Sequence, residues 1–406
     1  MALLPVDEAL RLLLADKMPS GHEQVALHEA GDRVLATSIF ASFNQPPFDA
    51  SAMDGYAIRF ADAEQLPVTL KVIGESAAGK GFDGTVRSGE AVRIFTGAPM
   101  PAGADTIVIQ EDTQQEGNLV TLLRDVSKSR HIRFSGLDFK DGECLLQTGQ
   151  LLDPASLSLA AASGHAQLQV YKRPKTAILA TGNELVPAGT VPAADQIVSS
   201  NSYGVAEIVR RNGGTADDLG IVPDDLALIE QSIRNVAASD ADILITLGGA
   251  SVGDHDLVHK ALTNCGVELG FYKIAMRPGK PLMFGQLERE GKAPLLVLGL
   301  PGNPVSSLVC SYVFLAPLVA RLAGKAATTY IASARLAQDM AANGNRRDYA
   351  RAALTRNSDG ELLATPLPVQ DSSMLTVITR ADALLIREPF AEAAKAGDRC
   401  QILMIR

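Results

Sequence analysis

The chain has 406 residues, with 37 Lys and Arg against 46 Asp and Glu for a net charge of -9, and it is 47% hydrophobic with 35 Gly and 21 Pro. This length implies two to four domains, and the composition excludes extensive disorder. The acidic balance argues against nucleic-acid or membrane-surface partners, but not against a small anion held by a few local Lys and Arg.

The N-terminal MALLPVDEALRLLLADKM carries Asp7, Glu8, Arg11 and Asp16 inside its apolar pattern, so it reads as neither a signal peptide nor a membrane anchor. Leu10, Leu13 and Leu14 at helical spacing predict an amphipathic helix ending near Pro19–Gly21. From about 30 to 150 the texture is β: RVLATSIF, VTLKVI, AVRIF, TIVIQ and LVTLL are separated by Gly, Pro and Asp. PPFDASAMDGYAIR (46–59) reads as neither clean strand nor helix. Leu151–Gly164 reads as a helix with Asp153 as N-cap and Pro154 in its first turn.

Between 175 and 323 strand and helix alternate. KTAILAT is a strand. SNSYGVAEIVRRNGG is a helix capped by Asn201 or Ser202 and stopped at Gly213, and DLALIEQSIRNVAAS is a helix capped by Asp224 or Asp225. ADILITLGG (strand), GDHDLVHKALTNCG (helix), VELGFYKIAM and PLLVLG (strands) and NPVSSLVCSYVFLAPLVARL (helix) follow. Such βαβ units imply a largely parallel sheet, whose ligands sit outside the carboxyl ends of its strands. GLPGNPVSS breaks the longest apolar run, which therefore does not read as a bilayer span. The last 80 or so residues return to β texture. Cys144, Cys265, Cys310 and Cys400 show no metal-ligand spacing, which fits a reducing cytoplasm better than a disulfide framework or zinc site.

Several stretches carry chemistry. LITLGGASVGDHD (244–256) is a glycine turn between strand and helix, suited to an anion, although Gly248–Gly249 could serve the turn alone. Asp254 and Asp256 beside it could hold Mg²⁺ or cap the helix. In GLPGNPVSS, Asn303 is a natural N-cap, Pro304 sits at N1, and Ser306 and Ser307 offer hydroxyls. Capping alone would explain these residues, but their place on the same sheet as the other glycine turn favours a ligand as well. KIAMRPGKPLMFG brings Lys273, Arg277 and Lys280 around a Pro-Gly turn, where they could clamp an anion. Glu184 in ATGNELV, with Asp49 and Asp54 in PPFDASAMDGYAIR, are either turn residues or functional carboxylates. No Ser/His/Asp or Cys/His nucleophile set is present. The equipment is that of phosphoryl or nucleotidyl chemistry without a covalent intermediate.

PPFDASAMDGYAIR, FTGAPMPAGADTIVIQED, LATGNELV, VSSNSYGV, LGGASVGDHD, AMRPGKPLMFG and LGLPGNPVSS, in that order, resemble the molybdopterin molybdenumtransferase family (MoeA and the E domain of gephyrin) over essentially the whole chain. The resemblance implies a multi-domain α/β plus β protein. Its parts would be a mixed linker domain (1–28 with 140–172), an all-β domain (29–139), a doubly wound MogA-like α/β domain (173–323) and a C-terminal β domain (324–406). It also implies a cytoplasmic homodimer whose site is shared between subunits, with no nucleic acid or membrane. Transient partners would be the molybdopterin adenylyltransferase and molybdoenzyme targets or their chaperones. The implied reaction takes adenylylated molybdopterin and molybdate, cleaves the pyrophosphate link in a Mg²⁺-dependent step, and releases AMP and molybdenum cofactor.

By the same resemblance Asp54, Thr96, Asp138, Glu184, Asp224 and Asp256 are the functional polar positions, with Glu184, Asp224 and Asp256 at the metal. Lys273, Arg277 and Lys280 would hold molybdate or phosphate. Gly248, Gly249 and Ser251, with Pro301, Gly302, Asn303 and Pro304, would line the pterin and phosphate pocket. Arg346, Arg351, Ser372 and Ser373 would contribute from the C-terminal domain. Two other readings have their own signatures. A gephyrin-like scaffold calls for a second glycine-turn α/β domain and a long linker, and an adenylyltransferase-type enzyme calls for the α/β domain without flanking β regions. This sequence shows neither pattern.

Overall fold

A computed structural model describes residues 3–248, 257–326 and 330–406. The chain forms two compact units: Gln24–Gly31 with Leu35–Leu168, and Met1–Glu23 with Asp32–Val34 and Gln169–Arg406. Helix α1 (Val6–Leu14), which belongs to the second unit, places Asp7 and Glu8 in its first turn and Arg11 in its last, and buries Val6, Ala9 and Leu13. Those charges complement the helix dipole and that stripe has helical period.

The first unit is built on a six-stranded sheet of β1 (Gly55–Ile58), β2 (Val68–Ser76), β3 (Glu90–Ile94), β4 (Thr106–Ile109), β5 (Thr113–Glu116) and β6 (Leu119–Leu122), ordered β4-β1-β3-β2-β6-β5. β1 comes from the segment that looked irregular in sequence, yet every residue in it is buried. Gly55 is required there, because a Cβ would stand 2.0 Å from the Val108 carbonyl oxygen of β4. RVLATSIF does not form one strand. Ile39–Phe40 pairs with Cys144–Leu146, while Val34 and Leu35 make only single bridges and are both buried, which breaks the in-out alternation of a strand. α2 (Pro154–Ala162) starts as expected, with the Asp153 carboxylate accepting from Ser156 N–H at 2.7 Å.

The second unit holds the α/β sheet: β7 (Lys175–Thr181), β8 (Thr215–Val222), β9 (Ile243–Leu247), β10 (Glu268–Tyr272), β11 (Met283–Arg289) and β12 (Lys292–Leu300), ordered β8-β7-β9-β12-β11-β10. The first four are parallel, and β11 and β10 run antiparallel at one side. β8 was not legible as a strand, because its residues Asp217–Gly220 are all exposed at the sheet edge. α1, α3 (Asn201–Arg211) and the helix Pro304–Leu322 pack on one face, and α4 (Leu226–Ala238) with α5 (Leu257–Asn264) on the other. This is a doubly wound arrangement. Pro304–Leu322 is long and apolar enough to cross a bilayer by length and composition alone. It is the core helix of this unit, with 72% of its apolar window buried.

The C-terminal strands β13 (Ile331–Leu336), β14 (Arg347–Arg356), β15 (Leu362–Pro366), β16 (Ala383–Arg387) and β17 (Arg399–Met404) close on themselves through a β14–β16 pairing. Met276 and Arg277 add to this sheet opposite Arg347 and Asp348. That pairing fastens the MRPGKP loop to the C-terminal strands.

Candidate active site

Three turns converge at the carboxyl ends of β7, β9 and β12. After β7, Gly182 (φ +153°) donates to Val222 O at 3.3 Å, and Asn183 and Asp224 exchange bonds: Asp224 N–H to Asn183 Oδ1 at 3.1 Å, and Asn183 N–H to Asp224 Oδ2 at 3.4 Å. The Glu184 carboxylate folds back over Gly182, where a Cβ would lie 2.7 Å from Oε2. Asp225, not Asp224, caps α4, accepting from Leu228 N–H at 3.0 Å. That leaves Asp224 to the loop beside Glu184. After β9, Gly248 (φ +95°) donates to Leu300 O at 3.3 Å, and a Cβ there would meet Thr181 O at 2.8 Å. Gly302, after β12, faces Gly248, whose Cα stands 3.8 Å from where a Gly302 Cβ would be. Asn201, expected as a cap, is the first residue of α3 and donates its side-chain N–H to Gly302 O at 2.8 Å. A cleft of about 440 Å³ opens beside these turns, lined by Gly182, Asn183, Ser199, Ser202, Tyr203 and Asp218. Gly249, Ser251, Asp254 and Asp256 lie outside the described residues.

The turn after β12 is anchored to the C-terminal part of the unit. Asn303 occupies the N-cap position, with Pro304 at N1, but its side chain makes no capping bond. It donates instead to Ser372 Oγ at 3.1 Å, and Val305 N–H reaches Ser372 O at 3.0 Å. Ser306 and Ser307 are buried, and the Ser307 hydroxyl is without a partner among the described residues. Pro301 and Gly302 complete the turn.

Beside it is a cluster of opposite charges. Arg277 pairs with Asp348, and this bond holds the guanidinium firmly protonated. Arg351 is 1% exposed, the largest fully buried side chain described. Its Nη1 donates to Tyr349 O at 3.3 Å, while Nε and Nη2 have no partner among the described residues. Burial pushes its pKa down, while the nearby Asp348 opposes this more than Asp371 does. Asp371 is turned toward Ser373, accepting its N–H at 2.8 Å and its hydroxyl at 2.6 Å. A buried guanidinium edge with unpaired donors is costly unless something fills it. Its charge and unpaired donors are of the kind that pair with an oxyanion.

The remaining expected cations are dispersed. Lys273 sits at φ +74° with its ammonium 5.3 Å from the Tyr272 ring centre. Lys280 is exposed, its carbonyl accepting from Ile274 and Leu282. Arg346 offers its carbonyl to Asn343, and no hydrogen bond links its side chain to the Arg351 cluster.

In the other unit Asp54 and Thr96 form one element. The Thr96 N–H and hydroxyl both donate to Asp54 Oδ1 at 2.8 Å. These bonds, with a smaller contribution from Arg93, hold the Asp54 carboxyl below the usual range. Arg93 lies 5.0 Å from the Tyr56 ring centre and 4.9 Å from that of Phe95, and donates to Gly55 O and Gln110 Oε1. Asp49 is a turn residue, accepting from Ser135 N–H at 2.8 Å. Asp138 pairs through its backbone with Gln45, and no hydrogen bond joins it to Asp54 or Thr96.

Among the described residues no group of three or more His, Cys, Asp or Glu is placed to hold a metal. Glu184 and Asp224 nevertheless come from interlocked loops and are suited to Mg²⁺, which keeps several waters and takes one or two carboxylates together with substrate phosphates. Sequence reasoning missed Asp348 and gave Asn201 the wrong partner. Both contacts join residues about 70 or 100 positions apart, and no local signal marks them.

Residues 4–164 match the model of the MoeA N-terminal region (domain I and II), 177–321 the "Probable molybdopterin binding domain", and 333–405 the MoeA C-terminal region (domain IV). The molybdopterin molybdenumtransferase of Haemophilus influenzae is 35% identical over 98% of both chains. That of Bacillus subtilis is 32% identical over 99% of this chain and 94% of its own. The molybdopterin biosynthesis MoeA protein of Pyrococcus horikoshii matches over 100% of both chains with a TM-score of 0.84 at 28% identity. The chain belongs to the molybdopterin molybdenumtransferase (MoeA) family.

Proposed function

We propose that this chain is a transferase of molybdenum cofactor biosynthesis that inserts molybdate into adenylylated molybdopterin, cleaving the pyrophosphate link and releasing AMP and the finished cofactor. The observation that carries this reading is the buried Arg351 edge with its two unpaired donors, which feels the charges of Asp348, Arg277 and Asp371, the last next in sequence to the Ser372 that accepts from Asn303. An oxyanion there satisfies those donors and neutralises the charge.

In this account Arg351, Arg277 and the Ser372 hydroxyl bind molybdate, and Lys273, Lys280 and Arg346 add positive potential around it. Gly248, Gly249 and Ser251, with the Pro301, Gly302, Asn303 and Pro304 turn, line the pocket for the phosphate and pterin portions, as strand-to-helix turns do. Glu184 and Asp224, with Asp256, hold Mg²⁺, which when bound supplies charge stabilisation to the pyrophosphate oxygens. Asp54, kept ionised by Thr96, orients the attacking group through Oδ2, the oxygen that Thr96 leaves open. Asp138 acts with them by the family resemblance alone. The family resemblance brings Asp54 and Thr96 to the site from the second subunit of a homodimer. It also supplies the cytoplasmic setting and the transient contacts with an adenylyltransferase and molybdoenzyme targets, and both stand as part of this proposal.

The test is reconstitution. Purified protein given adenylylated molybdopterin, Mg²⁺ and molybdate releases AMP and yields cofactor that activates an apo-molybdoenzyme. If neither product appears, the reading is wrong. Lys273→Ala raises the molybdate concentration needed, and an unchanged requirement would remove Lys273 from the anion's surroundings.

A further inference from the structure

We infer that Asp348 is a positioning residue that acts through Arg277: it is a resident counter-ion that holds this guanidinium and weakens the site's grip on oxyanions until the right one displaces it. The inference rests on the reading of the Arg351 cluster as the molybdate site. It names a regulation of that site.

The argument starts from the register. Arg277 and Asp348 are partners in the short parallel pairing that fastens the MRPGKP loop to β14, so the ion pair is fixed by backbone and not merely by side-chain reach. The two ends differ in exposure: the Asp348 side chain is 14% exposed and that of Arg277 58%. The carboxylate is therefore anchored in the protein, while the guanidinium stands at the solvent side, where an entering anion meets it. Asp348 is also the opposing charge with most effect on the buried Arg351, ahead of Asp371. Asp371 is already engaged by Ser373 through both its N–H and its hydroxyl. Asp348 alone thus serves both guanidinium groups, one by direct contact and one through space. With it in place, an incoming dianion competes with a built-in carboxylate for Arg277 and finds reduced positive potential at Arg351. Ambient sulfate or phosphate is held weakly for the same reason, which keeps the site open for a substrate that brings additional contacts. Removal of the carboxylate charge should tighten binding of every tetrahedral dianion, molybdate and sulfate alike.

The experiment is equilibrium dialysis of the full-length protein against molybdate, with sulfate as competitor, paired with the molybdate dependence of AMP release. Asp348→Asn is expected to lower the molybdate dissociation constant about tenfold, equivalent to ~1.4 kcal/mol. Sulfate should become a correspondingly stronger competitor. Asp348→Glu keeps the charge and should stay within about twofold of wild type, which a purely structural role would not produce. Should Asp348→Asn fail to fold, Asp348→Ser is the second variant. It removes the carboxylate and leaves Arg277 intact, so molybdate binds several-fold tighter. If wild type binds molybdate and neither Asp348→Asn nor Asp348→Ser binds it more tightly, this inference is overturned alone. If wild type does not bind molybdate, the reading of the site falls and takes the inference with it.

Discussion

Gly182 and Glu184 share one small volume at the end of β7. Any Cβ at Gly182 would enter the space of the Glu184 carboxylate, and φ there is +153°, a conformation side chains rarely adopt. Gly182→Ala is therefore expected to lose about 1–2 kcal/mol of stability through backbone strain and to push Glu184 off the position from which it would hold a metal. Urea unfolding and the Mg²⁺ concentration for half-maximal AMP release check the two effects, and an unmoved Mg²⁺ requirement would take Glu184 out of the metal site. At Asp54 the carboxylate is held ionised by two bonds from Thr96. Asp54→Ala is expected to reduce turnover about 10²–10³-fold while leaving the fold intact. Turnover within a few-fold of wild type would show that Asp54 is only a turn residue. Asn303 illustrates where residue-level reading stops. Its type and place in front of Pro304 gave the N-cap position correctly, but its side chain goes to Ser372, on a segment that local sequence does not connect to it.

At the scale of elements, the strands and helices that were legible are those whose burial leaves a continuous apolar run or a helical stripe in the sequence. β7 and β9 are short and almost wholly buried, so apolar runs marked them, and α1 buries one stripe at helical spacing. β8 is an acidic, exposed edge, and β1, though buried throughout, is short and begins at a glycine that close packing requires; neither leaves a long apolar run. The helix Pro304–Leu322 ties its unit together. Phe314, fully buried within it, packs in the core shared with α1 and α3. Phe314→Ala is expected to destabilise this unit by about 3–5 kcal/mol. A calorimetric shift equivalent to less than about 1 kcal/mol would place the helix outside the core. The candidate site was legible as a set of glycine turns and carboxylates, since βα turns carry their ligand chemistry locally. The ion pairs and capping bonds that arrange the set are long-range and were not.

Across the whole second unit, Arg347 joins distant parts of the chain. It donates to both oxygens of Asp7 in α1, at 2.7 and 2.8 Å, and to Glu388 at 2.8 Å. The bond to Arg347 lowers the Asp7 pKa from 3.8 in the folded state. A depressed carboxylate stabilises the fold fully above its unfolded pKa and loses that contribution as pH falls through the folded one. Asp7→Asn is therefore expected to reduce stability by no more than about 1 kcal/mol between pH 5 and 7, because the carboxylate is largely exposed. The difference from wild type should shrink below about pH 4. Urea midpoints across that range check the sign, and a difference that grows toward acid would contradict it.

The central claim is a location: the oxyanion sits against the buried Arg351 edge, between Arg277, Ser372 and the turn Pro301–Pro304. Anomalous diffraction at the molybdenum edge from crystals soaked in molybdate measures that location directly. The account predicts one strong peak within hydrogen-bond reach of Arg351 and Ser372, lost in Arg351→Gln crystals. A peak elsewhere, or one that survives Arg351→Gln unchanged, would contradict it.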